Sequence, residues 1–117
     1  MTAVPIEVEE HQVCAVVRLH ADLDVVVTER LRAALDSAGQ RGVDIVLDLG
    51  DAAVIDPAAL SLLVRAHRRA RAADRLICLA APSRYIVTVL HTMRVAGLFP
   101  IFSDVDAAVT WLRRKAA

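Results

Sequence analysis

Aromatic residues make up only 3% of this 117-residue sequence against an apolar fraction of 56%, so its core has to be built from Val, Leu, Ile and Ala. Such side chains suit layered α/β arrangements in which helices lie close on a sheet. Cysteine occurs only at Cys14 and Cys78, each inside an apolar predicted strand. Two such residues make neither a disulfide framework nor a metal site and read as small core hydrophobes. Long apolar runs are missing too. The longest, Leu76 to Ala81, falls far short of the roughly 20 residues that a membrane helix needs, so no direct membrane insertion is expected. The first ten residues lack a basic segment followed by an apolar one, so no secretory signal is expected and the cytoplasm is the expected location. Neither sign of charge dominates: fourteen basic and fourteen acidic residues balance to zero, which speaks against nucleic acid or another polyanion as partner.

What is present has the pattern of one α/β domain spanning 1–117, a size that buries roughly two thirds of its unfolded surface without a staple. Ile6, Val8 and Glu10 begin an alternating strand, and His11-Gln12 turns it into Val13–His20, a hairpin whose first strand is an edge and whose alternation across Glu7, Glu9 and Arg18 puts charge on one side. After Ala21–Asp24, Val27, Leu31, Leu35 and Ala38 recur at helical spacing up to Gly39 or Gly42. A strand from Val43 to Leu49 follows, its Asp44 and Asp48 expected where the strand ends approach water. A second helix runs from Pro57 to about Ala73, with Leu60, Leu63, Val64 and His67 on one face. Arg75–Ala80 is a buried strand that closes a parallel strand-helix-strand unit. Pro82-Ser83 opens a third helix stopped at Gly97, and Phe99–Phe102 is a last short strand. Ser103 with Asp106 resembles a capping box for a final helix, after which Arg113–Ala117 looks loose.

The stretch Val43–Leu60 organises the rest: an apolar strand enters a short loop and then a helix opened by Asp56-Pro57. Asp can accept bonds from the orphan N–H groups of the first turn, and Pro at the first helical position gives up an N–H that had no partner. Here Ile55-Asp56-Pro57-Ala58-Ala59-Leu60 resembles the Ile-Asp-Ser-Ser-Gly-Leu segment of the STAS domain, a family named for sulfate transporters and anti-sigma-factor antagonists. Ala21-Asp22-Leu23-Asp24 is similar to that family's Gly-Glu-Leu-Asp turn, and Gly97-Leu98-Phe99 to its Gly-Leu-aromatic segment. The likeness runs from about Ile6 to Trp111. It implies a central mixed sheet of about five strands with about four helices and a non-enzymatic role in binding a regulatory partner such as an anti-sigma factor. In the family the second Ser of the motif is phosphorylated by the partner. Ala58 stands there in this chain, so the resemblance implies a docking surface at Asp22, Asp24, Asp56, Pro57, Ala58, Ala59 and Ser61 that lacks the usual phosphoacceptor. Ser61 itself is expected to pack inside the helix. A homodimer remains open.

Other chemistries find little support. Nucleophile elbows, metal-binding His-Glu-x-x-His helices, phosphate loops and dinucleotide fingerprints are absent, and nothing calls for a cofactor or a metal. The histidines at 11, 20, 67 and 91 have no ligand spacing. Asp48, near the end of a central strand, is where a phospho-receiver domain carries its aspartyl phosphate, and Asp22 and Asp24 could mimic its magnesium pair. The only lysine, Lys115, lies too far along the chain to hold the phosphoryl group. The Arg-rich run 65–75 lacks interleaved aromatics and reads as a solvated helix face. An assembly role beside a transporter or multiprotein complex is the alternative that the same family offers.

Overall fold

The computed structural model describes residues 5–116. Residues 1–4 and 117 lie outside it, and with them the first part of the N-terminal stretch read for a signal and the last residue of the tail expected to be loose. Strands β1 (Ile6–Glu10) and β2 (Cys14–Leu19) form the expected hairpin. Helix α1 (Val25–Gln40), β3 (Asp44–Asp48), α2 (Pro57–Ala72), β4 (Ile77–Ala80), α3 (Arg84–Thr92), a single 3-10 turn at Ala96–Leu98, β5 (Ile101–Phe102) and α4 (Val105–Ala116) follow. The sheet order is β1-β2-β3-β4-β5, with β1 antiparallel to β2 and every later pair parallel.

That order dictates the layering. Three successive crossovers of one hand, each stepping the same way along the sheet, put their helices on one face. Alternate strand residues Ala15, Val17, Leu19, Ile45, Leu47, Ile77 and Leu79 accordingly share a core with Leu31 and Leu35 of α1, Leu60 and Leu63 of α2 and Ile86 and Leu90 of α3. Helix α4 follows the last strand and is free to cover the other face, where Cys14, Val16, Val46 and Cys78 meet Ala108, Val109 and Leu112. Both cysteines are buried and unpaired.

Several local expectations are corrected. Asp44 is buried: its Oδ1 accepts the Leu76 N–H at 2.9 Å, and Lys115 Nζ lies 3.5 Å from Oδ2. The C-terminal segment is therefore helix through Ala116, tied to the sheet by the chain's lysine. Helix α4 is capped by Asp104, which accepts the Ala107 N–H at 2.7 Å, because Asp104 directly precedes the first helical residue and Ser103 does not. Helix α3 ends at Thr92, five residues before Gly97, with Arg94 in a left-handed conformation at φ +59°. Gly42, at φ +68°, supplies the left-handed turn after α1 that only glycine adopts without strain.

Candidate functional site

The turn before α1 and the loop between β3 and α2 are zipped together. Asp22 Oδ1 accepts the Ala53 N–H at 2.7 Å and the Val54 N–H at 3.3 Å. Leu23 forms a one-residue parallel bridge with Ile55: its N–H donates to Val54 O at 3.3 Å and its carbonyl accepts the Asp56 N–H at 3.2 Å. The buried side chains of Leu23, Ala52 and Ile55 anchor the pair in the core beneath. Ser83 adds a third segment, donating its hydroxyl to Ala53 O at 2.8 Å while accepting the Ile86 N–H that begins α3.

Each helix at this end starts from a capped first turn. Asp24 Oδ1 accepts the Val27 N–H at 2.9 Å, and Asp56 Oδ1 accepts the Ala59 N–H at 2.8 Å. Orphan N–H groups and the positive ends of three helix dipoles are thus met by short polar side chains. These carboxylates are structural acceptors first, which sequence reasoning gave as a cap only for Asp56. The apolar residues of the corner remain outside: Ala53, Pro57 and Ala58 are exposed, Val54 is 43% exposed and Val26, in the first turn of α1, 68%.

Two residues of the expected docking set sit otherwise than anticipated. Ala59 is fully buried, because the turn that presents Pro57 and Ala58 to solvent directs the next residue into the core; it positions the corner and offers no surface. Ser61 is exposed instead of packed, one helical turn further along, where it lines a shallow groove with Leu60, Val64, Arg65, Met93 and Val95. Val26 and Ser83 were missed. Only Val27 of the Val25–Val27 run fits the core periodicity, so the signal for Val26 was an apolar residue off the buried face.

The receiver-type arrangement finds no matching geometry. Asp48 Oδ2 accepts from Arg18 Nη1 at 2.9 Å and its Oδ1 from the Gly50 N–H at 3.0 Å, while Asp22 and Asp24 are spent on backbone N–H groups. Among the described residues no three His, Cys, Asp or Glu side chains are grouped to hold a metal ion, and no helix is long and apolar enough to cross a membrane. Arg18 also holds Glu9 at 2.8 Å, and this bond, with a second from His11, keeps the Glu9 carboxyl below its usual range.

A family model of the STAS domain matches residues 5–108. Among solved structures, a putative anti-sigma factor antagonist from Thermotoga maritima superposes with a TM-score of 0.83 at 14% identity, over 92% of this chain and 94% of that one. An anti-sigma-factor antagonist (STAS) domain protein from Planctomyces limnophilus gives 0.82 at 23% identity, over 92% and 97%. The Bacillus cell fate determinant SpoIIAA in its phosphorylated form gives 0.74 at 21% identity, over 92% and 98%. Likenesses at these identities concern the fold. No curated protein matches the sequence.

Proposed function

Since the chain belongs to the STAS domain family, we propose that it is a non-enzymatic regulator that docks a partner protein, of the anti-sigma-factor kind, through Asp22–Asp24 and Ala53–Ser61, with no phosphorylation switch at position 58. The observation that carries this reading is the Asp22 clamp, which fixes two loops side by side with Val54, Pro57 and Ala58 turned outward. A preformed apolar corner loses little conformational freedom on binding. A relative, SpoIIAA, is known in a phosphorylated form. A phosphoryl group would add about −1.5 to −2 charges beside Asp22, Asp24 and Asp56, enough to repel and desolvate badly at an interface. Ala58 has no oxygen to receive one, so docking here is set by the partner's concentration and state.

The test incubates the chain with its cognate kinase-type anti-sigma factor and ATP, then reads complex formation by co-elution and modification by intact mass. The expected result is a complex with an unmodified chain, abolished by Ala58→Trp, whose ring would stand on the exposed corner. A stoichiometric phosphate, or capture undiminished by the Trp variant, contradicts the proposal. Recovery of transporter subunits in place of the anti-sigma factor assigns the same fold to an assembly role.

A further inference from the structure

At the end of the molecule opposite this corner, the last turns of α1 and α2 and the first residues of β3 and β4 border a solvent-open hollow of about 360 Å³. The buried side chains of Leu35, Ile45 and Ile77 contribute to its lining. The hollow exists because the helix residues around it are small: Ala66 and Ala70 on α2, and Gly39 on α1, where an added Cβ would meet no heavy atom within 4 Å. The separation from the corner is the length of α2, sixteen residues or roughly 24 Å.

Three charged side chains share this site: Asp36, Arg69 and Arg75. Asp36 is already committed to Arg69 at 3.1 Å, whereas Arg75 forms no ion pair among the described residues. Arg69 and Arg71, in the last turn of α2, offset the partial negative charge of that helix end. Small-molecule pockets run from about 300 to 1,000 Å³, are mostly apolar and carry a few polar groups that fix orientation. A guanidinium can hold a carboxylate through two parallel N–H bonds. One spare guanidinium beside a hydrocarbon-lined hollow of this size therefore complements one negative charge on a short alkyl chain.

We propose that this cavity binds a medium-chain fatty acid as its carboxylate, with the chain against Leu35, Ile45 and Ile77 and the headgroup on Arg75. The probe is sodium decanoate, added below its micelle threshold to the ¹⁵N-labelled chain, with decan-1-ol in parallel. Saturable amide shifts are expected at Gly39, Ala66 and Ala70, with a sub-millimolar dissociation constant. Arg75→Gln, a change at an exposed side chain, should weaken decanoate about tenfold by removing a charged hydrogen-bond partner. Gly39→Leu should abolish binding by filling the hollow, and it leaves the helix intact because Leu is the better helix former. The proposal is overturned by shifts that do not saturate or that fall elsewhere, by undiminished binding to Gly39→Leu, or by decan-1-ol binding as tightly as decanoate.

Discussion

Replacing Asp22 by Ala removes the side chain that clamps the β3–α2 loop to the turn before α1. Two hydrogen bonds are lost, at 2.7 and 3.3 Å, and the second is long enough to add little. Bonds to a charged group contribute about 1.5–3 kcal/mol when desolvated, but Asp22 is exposed and water can reach the freed N–H groups. A net loss of about 1 kcal/mol follows. The backbone bonds of Leu23 to Val54 and Asp56 stay in place, so the loop loosens without unzipping. Amide hydrogen exchange at Ala53 and Val54 should accelerate about fivefold, the factor that 1 kcal/mol corresponds to, while amides of β3 and β4 slow or quicken only with global stability. The melting temperature should fall by about 4 °C for a chain of this size. Asp22→Asn, which keeps an acceptor oxygen without its charge, should lie between the two. If exchange at Ala53 and Val54 is unchanged in the Ala variant, Asp22 is not what orders the corner and the reasoning fails.

Removing the cap of α2 with Asp56→Ala should cost about 1 kcal/mol, seen as a lower denaturation midpoint, while Asp56→Ser retains most of it; equal midpoints for wild type and Ala would refute the cap. Burial, with the Asp44 charge adding to it, pushes the Cys78 thiol up to about 12, and burial raises Cys14 as well. Both thiols should therefore resist iodoacetamide at pH 8 until the chain is unfolded, and labelling of the native protein at the rate of a free thiol would contradict this. His67 packs edge-on to Phe99 with its Nδ1 buried and unpartnered. Burial first, then Arg71 and Arg68, hold its pKa below the ordinary 6.5. The unfolded chain then takes up this proton before the folded one does, so stability falls as pH drops below about 6.5 and the loss is complete once folded His67 is itself protonated. In His67→Gln that part of the pH dependence of unfolding should vanish; an unchanged profile would assign it to other groups.

The strands and helices were legible because their apolar residues repeat at two clean periods, and β3 into α2 could be read from a β-branched run followed by Asp-Pro. What stayed hidden depends on contacts distant in the chain. Asp44 reads as a strand-end carboxylate until Lys115, seventy-one positions later, arrives beside it and Leu76 donates to it. Ser83 is recognisable as a helix cap, but its second bond, to Ala53, needs the sheet order that brings α3 beside the β3–α2 loop. Within the docking set, the sequence motif located the corner and could not separate its outward residues, Pro57 and Ala58, from the inward Ala59, because at a helix start one residue's rotation decides between solvent and core. Ser61 was assigned to packing for the same reason and lies outside. The cavity beneath Arg75 left no sequence signal, since a hollow is made by the small size of Gly39, Ala66 and Ala70 together.

The most direct test of the docking account is the footprint of the bound anti-sigma factor on the ¹⁵N-labelled chain, read by cross-saturation of amides. The account requires the strongest effects at Val26, Ala53, Val54 and Ala58, with β1 and α4 untouched. A footprint centred on α4 or on the β1 edge, with the corner silent, would contradict it.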